Sequence, residues 1–359
     1  MTLHPVNLIQ IALMTIALLG VVLTVTRPRL RAATALLAMS AAWMMFNFLE
    51  ETAGFRQIWL VTPAFRLAYP PLVYLLVRGM IVAGNPIGWR DWPHTVPFLV
   101  ALALTGHLDW VEHAARLSLI LYGAASLWLV HRFHLAIREI RSDAGTIRLR
   151  WLVVILAIYL IDQLFDTLRM DAGWLHALWP WLNSSSAYLV QSVFSVLLAA
   201  AMIVLAIRRA TLFDGLSADA VFYSGAEPVS TDTATARPST EADMGAFGRL
   251  DTAIRSEALY SEPRLTRLEA AQASGLTERA VSRAIRAATG RNFNDYINHL
   301  RIQDVCAMMA GDITNGGSRR LIDFAFTAGF SSKSVFNEVF KREMGQTPSA
   351  YAATLRGSD

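Results

Sequence analysis

Leu268-x2-Ala271-x3-Gly275-Leu276-Thr277-x3-Val281-x3-Ile285 is followed, with every spacing kept, by Ile322-x2-Ala325-x3-Gly329-Phe330-Ser331-x3-Val335-x3-Val339. A small residue four positions before a glycine lets two helices approach closely, and the glycine supplies the positive φ that ends the first of them. The apolar residue after it plugs the corner. Thr277 or Ser331 then N-caps the second helix, and Val281/Ile285 or Val335/Val339, four apart, form its buried stripe. This is the pattern of a helix-turn-helix, whose second helix enters a DNA major groove. Any helical hairpin with an alanine and a glycine imitates it once. Two copies in register argue against a plain all-helical domain.

The rest of the chain points to a second solvent. At 54% hydrophobic residues and a mean hydropathy of +0.38, its 359 residues are too apolar for an ordinary soluble protein, and the excess lies before Ala210. The lone cysteine, Cys306, excludes an intrachain disulfide and leaves a metal cluster without thiolates; it reads as a small core residue. The pI of 9.4 invites a nucleic-acid reading, but much of the surplus arginine lies between hydrophobic segments, where it sets membrane orientation.

Val6 to Thr26 carries no charge and is long enough to span a bilayer, which takes about 20 apolar residues. A signal peptide is the rival reading, but no basic region precedes the stretch and no small-x-small site precedes Arg27, Arg29 and Arg31. Further spans are expected over Ala32–Leu49, Ile58–Ile81 (interrupted by Pro63, Pro70 and Pro71), Trp92–Gly106, Leu117–Ile137, Trp151–Phe165 and Ser185–Ile207. With the N-terminus outside, the inner loops hold Arg27/Arg29/Arg31, Arg90 beside Arg78, Arg132, Arg138, Arg141, Arg148 and Arg150, and Arg208/Arg209. The outer loops hold only Arg56, Arg116 and Arg169 among Glu50, Glu51, Asp109, Glu112, Asp166 and Asp171. That is the positive-inside asymmetry with an odd number of spans, and it leaves everything after Arg209 in the cytoplasm.

The expected organisation is all-α: a seven-span transmembrane bundle over 1–209, a flexible linker over 210–243, and a cytoplasmic double helix-turn-helix domain over 244–359. Its two units fall at about 265–290 and 319–345. The linker, rich in Ala, Ser, Thr, Pro, Asp and Glu, is expected to reach on the order of 30 Å. Phe247, Leu250, Ile254 and Ala258 regain helical spacing before Glu262-Pro263. They predict either a helix leading into the head or an amphipathic helix on the membrane.

Several motifs are more specific. Thr289-Gly290-x2-Phe293-x2-Tyr296 leads to Arg301, and Ala325-x3-Gly329-Phe330-Ser331 to Phe336-x3-Phe340-Lys341 and Gly345-x-Thr347-Pro348-x2-Tyr351. With them Leu265–Tyr351 resembles the AraC/XylS-type DNA-binding domain, about the last quarter of the chain. The resemblance implies seven helices, two helix-turn-helix units and a long helix joining them. The front half has only a general similarity to membrane-anchored regulators of this type. Departures are Glu338, where the family often carries a basic residue, Ile285 in place of a bulky aromatic, and the extra turn residues Asp312–Ser318.

If Val281 and Ile285 face inward, Arg279, Ser282, Arg283 and Arg286 face outward; the corresponding set in the second unit is Ser332, Lys333, Asn337 and Lys341. Arginine holds guanine O6 and N7 with two bonds, and asparagine does the same for adenine N6 and N7. Arg279, Arg283, Lys333 and Asn337 are therefore expected at base edges. Arg286, Lys341 and the helix ends capped by Thr277 and Ser331 are expected at phosphates. From Asp243 onward about 15 basic residues face about 13 acidic ones, so the general pull on DNA is modest and a second copy of the chain would help.

Charges within spans are costly and are usually paired or functional. Glu50, Arg66, Asp162 and Asp166 are the candidate sensor residues, with Arg66 expected to pair with Asp162 or with an acid at the rim. A purely structural polar pair is the alternative. No phosphate-cradling glycine loop, transmitter-histidine domain or His/Cys/Asp cluster at ligand spacing is present in the sequence, so neither enzyme activity, cofactor nor metal is expected. The function expected is a one-component transcriptional regulator in the cytoplasmic membrane, an activator by family habit. Its expected partners are double-stranded DNA, membrane lipid, a second copy, RNA polymerase and an unidentified small-molecule or membrane signal. The rival is a small transporter or lipid-modifying membrane protein with a regulatory head.

Overall fold

The computed structural model describes residues 5–53, 58–82, 87–145, 149–171, 179–210, 221 and 241–357. Among them are 14 α-helices and no strand; an isolated antiparallel bridge joins Arg141 and Thr266. The chain divides into two compact units. One comprises Met1–Phe133 and Leu149–Val221; the other comprises His134–Arg148 and Phe222–Asp359. The expected linker over 210–243 lies outside the described residues except for Ala210, Val221 and the first turn of the helix that starts at Glu241.

The first unit is built from α1 (Pro5–Thr24), α2 (Arg31–Thr52), α3 (Phe65–Ile81), α4 (Val96–Ala103), most of α5 (Leu108–Ile140), α6 (Arg150–Asp171) and α7 (Ser185–Ala210). Helix α1 packs along α2, α2 along α3, and α6 along α7. Its surface is apolar: Leu19, Val22 and Leu23 on α1, Ile120 and Leu121 on α5, Ile161 on α6 and Leu197 on α7 are all more than half exposed. Its buried side chains include Asn7, Gln10, Ser40, Asn47, Glu50, Asp162 and Ser192. So apolar a surface is unlike that of a water-soluble bundle, and the largely aliphatic core holds polar groups as well.

Among the described residues, three helices are long and apolar enough to cross a membrane: Asn7–Thr24, Arg31–Thr52 and Leu108–Ile140. The other four expected spans are not among these three. Helix α3 has 17 residues, because the turn at Thr62–Ala64 precedes it. Helix α4 has 8, a rise of about 12 Å. Only with the 3₁₀ turns over Trp89–Thr95 does that path approach a hydrocarbon thickness of about 30 Å. Pro70 and Pro71 sit inside α3 without ending it. Of the arginines expected to set orientation, Arg56 and Arg148 lie outside the described residues.

The second unit carries seven α-helices after the linker, α8 (Glu241–Ser256), α9 (Arg267–Ser274), α10 (Glu278–Thr289), α11 (Phe293–Thr314), α12 (Leu321–Thr327), α13 (Lys333–Met344) and α14 (Pro348–Gly357). The sequence repeat returns as a repeated hydrogen bond. The Leu276 amide donates to the Ala271 carbonyl at 2.9 Å, and the Phe330 amide to the Ala325 carbonyl at 3.0 Å. Both are the six-to-one bond of a Schellman turn. Helix α8 packs on α9 and α10, with Leu250 and Ile254 fully buried among Val281, Ile285 and Tyr296. It is the first helix of the head, which disposes of the alternative in which it lies on a membrane.

One expectation within the repeat needs correction. Helix α13 is capped one residue later than foreseen: the Ser332 hydroxyl, not that of Ser331, accepts from the Val335 amide, at 3.2 Å. Val335 is consequently half-buried and Phe336 takes the core position. Leu268 is 51% exposed, and Ala270 and Ala271 face the core in its place.

The two turn glycines are not equivalent. Gly275 and Gly329 both have positive φ, but a Cβ on Gly275 meets nothing, whereas one on Gly329 would lie 2.4 Å from the Ser261 carbonyl oxygen. Gly275→Ala should therefore cost only left-handed strain, about 1–2 kcal/mol. Gly329→Ala should cost about 3 kcal/mol or more, since backbone must move. Urea midpoints of the two variants decide it, and equal losses would contradict the close approach.

Candidate nucleic-acid interface

Each outward side chain is presented by a helix whose start is fixed locally. The Thr277 hydroxyl accepts from the Ala280 amide at 3.2 Å and starts α10. The Asn292 side chain caps α11, and Thr266 and Glu269 form a capping box at α9. Helix α10 buries Val281, Ala284 and Ile285 and leaves Arg279, Arg283 and Arg286 exposed at spacings of four and three, so they share one face. On α13, Phe336, Val339 and Phe340 are buried while Lys333, Asn337 and Lys341 are exposed in a stripe four apart. Ser282 is half-buried, Ser331 exposed and Glu338 exposed.

Long helix α11 joins the two hairpins by contributing to both cores. Phe293, Tyr296, Ile297 and Leu300 pack with the first hairpin, and Ile302, Val305 and Met309 with the second. Between them sits Arg301, 2% exposed. Its Nε donates to the Tyr260 carbonyl at 2.7 Å and its Nη2 to the Glu262 carbonyl at 2.7 Å, while the guanidinium lies 5.7 Å from the Phe330 ring centre. Burial pushes its pKa down to about 10, which still leaves it charged near neutrality. The aromatic motif residues form a continuous edge-to-face chain, Phe330–Phe336–Phe340–Tyr351, with centroids 5.4, 5.6 and 5.5 Å apart. The extra residues Asp312–Ser318 close on themselves: the Gly317 amide donates to the Asp312 carbonyl, and the Arg319 amide to the Asp312 carboxylate.

The outward cations already have partners that the local sequence did not announce. Arg283 Nε donates to Asp243 Oδ1 at 2.9 Å, Arg286 Nη2 to Glu139 Oε1 at 2.5 Å, and Arg267 Nη1 to the Ser282 hydroxyl at 3.0 Å. Asp243 is 40 residues from Arg283 and Glu139 is 147 from Arg286, so no helical spacing links them. Arg267 was equally unforeseen; it lies on the first helix of the hairpin.

The candidate sensor residues of the first unit separate into three places. Arg66 Nη2 pairs with Asp166 Oδ2 at 3.2 Å, the rim acid rather than Asp162. Asp162 instead accepts from Gln191 Nε2, from the Ser195 hydroxyl at 2.7 Å and from Gln163. Glu50 accepts from the Val61 and Thr62 amides and from the Thr62 hydroxyl, which makes it the cap of the turn before α3. Sequence reasoning also passed over Arg78 and Asp91, joined by two bonds of 2.8 Å.

Residues 270–354 match the family model described as a helix-turn-helix domain, of the AraC type. The match coincides with the two hairpins and the helix joining them. It supports an AraC-family DNA-binding domain that regulates transcription, a kind of domain not typically enzymatic. No curated protein and no solved structure matches the chain.

At the far end of α13, Glu343 accepts from Arg291 at 2.8 Å and lies 3.0 Å from His299 Nδ1, tying this helix to the start of α11. Burial opposes its ionisation, but the hydrogen bonds from Arg291 and His299 prevail and hold its carboxyl below the ordinary value of 4.5. A carboxylate with a lower pKa folded than unfolded adds stability above its unfolded value, and loses it as pH falls through the folded one. The urea midpoint of the head should therefore drop below about pH 4.5. Glu343→Gln should lower the midpoint at neutral pH and make the acid drop shallower; an unchanged acid profile would show that the network adds nothing.

Proposed function

We propose that this chain is a membrane-embedded, one-component transcriptional regulator. The observation that carries the reading is the pair of matched hairpins within 270–354, each presenting a capped helix with a cationic or amide stripe. Arg279, Arg283, Lys333 and Asn337 read base edges, assisted by Ser282 and Ser332. Arg286, Lys341 and the helix starts capped by Thr277 and Ser332, with Ser331 beside the latter, hold phosphates. The membrane half of the proposal is supported by the three long apolar helices and by the apolar exterior of the first unit. Seven spans with the N-terminus outside put the head in the cytoplasm, in keeping with the arginine asymmetry.

In this reading the protein lies in the cytoplasmic membrane, works as a homodimer and activates transcription with RNA polymerase. The signal is an unidentified small molecule or membrane state that acts on Arg66, Asp166, Asp162 and Glu50. The ion pair between α3 and α6 supports such a role, because a ligand competing for either partner changes how those helices are held.

The purified head, residues 241–357, should bind a mixed-sequence duplex more tightly as salt is lowered. Arg283→Ala should cost about 1–3 kcal/mol and relax base preference at one position of a selected site; an unchanged selection profile removes Arg283 from the interface. In cells, Arg66→Asp and Asp166→Arg should each abolish the response of a target promoter, and the double swap should restore it in part. Independent, additive losses would separate the pair from signalling.

A further inference from the structure

The compact unit that contains the head also contains the segment His134–Arg148, the end of α5 and the turn after it. This segment lies along the first hairpin. Its Ser142 amide donates to the Leu265 carbonyl at 3.0 Å, Arg141 and Thr266 form the bridge noted above, and Asn294 Nδ2 donates to the Ser142 carbonyl at 2.6 Å. Arg301 Nη2 reaches the Ser142 hydroxyl at 3.0 Å. From there the segment runs to the second hairpin, where a Cβ placed on Gly145 would lie 3.0 Å from Val335 Cγ1 at the start of α13.

One side chain of the segment meets the face assigned to DNA. The Glu139 carboxylate accepts from Arg286, the residue expected to hold phosphate, and the Glu139 carbonyl accepts from Arg267, which also holds Ser282. The other charges nearby do not cancel this acid. Arg141 is spent on Asp143, with bonds of 2.8 and 3.0 Å, and Arg138 is exposed. Glu139 therefore brings an anionic group to the guanidinium in the way a backbone phosphate would. A phosphate cannot take the donor that the carboxylate holds, and two anions at one guanidinium repel each other.

We propose that His134–Gly145 is a built-in competitor for DNA, with Glu139 standing in for phosphate on Arg286, so that docking of this segment and binding of a duplex exclude one another. The inference rests on the DNA-binding reading of the head and adds its regulation. Whatever draws the end of α5 away from the hairpin uncovers Arg286.

The test uses the full chain in lipid nanodiscs and a labelled mixed-sequence duplex of about 30 base pairs at about 50 mM salt. Glu139→Gln should tighten binding by about three- to tenfold, the factor by which a segment docked most of the time lowers apparent affinity. The same change on an Arg286→Ala background should do nothing, and Glu257→Gln, an exposed acid elsewhere on the head, controls for the lost charge. Hydrogen exchange of the Ser142 amide in the unaltered protein supplies a second readout: saturating duplex should remove its protection. Unchanged or weaker binding by Glu139→Gln, or a Ser142 amide that stays protected, overturns the proposal. Failure of every variant and of the unaltered chain to bind the duplex overturns instead the DNA-binding reading beneath it.

Discussion

The guanidinium of Arg301 is the interaction on which the head depends. A fully buried charge is tolerated only when its donors are taken up, and here they meet two backbone carbonyls of the segment entering the first hairpin. The same side chain stacks near Phe330, the corner residue of the second hairpin. One cation thus joins the approach to one unit with the turn of the other. The tight fit of Gly329 against Ser261 lies in this seam as well, so the two hairpins are locked by a charge and by a backbone contact together. Both hairpin cores draw on α11, the first on Phe293–Leu300 and the second on Ile302–Met309.

The first unit obeys a different rule. Several of its buried polar groups have polar partners: Asn7 and Gln10 donate to Glu51, Asp162 accepts from Gln191 and Ser195, and Glu50 accepts from backbone amides. Its exterior is left to Leu, Ile, Val and Trp. An exterior of this kind costs free energy against water, and the polar contacts inside fix how neighbouring helices are oriented.

What was legible in the sequence was whatever depends on short spacing. The Ala–Gly–apolar corners, the Thr277 cap and the aromatic positions of α13 are all set by neighbours within one or two helical turns. Ser331 and Ser332 are both good caps, and the choice between them was made by Phe336 entering the core. Leu268, an apolar residue of the repeat, is left outside while Ala270 and Ala271 face the core. Hydropathy also could not see helix ends: the turn at Thr62–Ala64 and the 3₁₀ stretch before α4 shorten two segments that read as continuous. The acids facing Arg283 and Arg286 were invisible, since they come from 40 and 147 residues away. Asp166, by contrast, was in view as a rim acid, and only geometry distinguished it from Asp162.

The shared helix α11 has a metrical consequence. Because its 22 residues serve both cores without a break, the separation and angular offset of α10 and α13 are not adjustable by a hinge between them. A duplex advances about 3.4 Å and turns about a tenth of a revolution per base pair. A protein with a fixed gauge of this kind accepts altered letters in its site more readily than an altered interval. One inserted pair between the two groove contacts takes the second out of phase, whatever bases surround it.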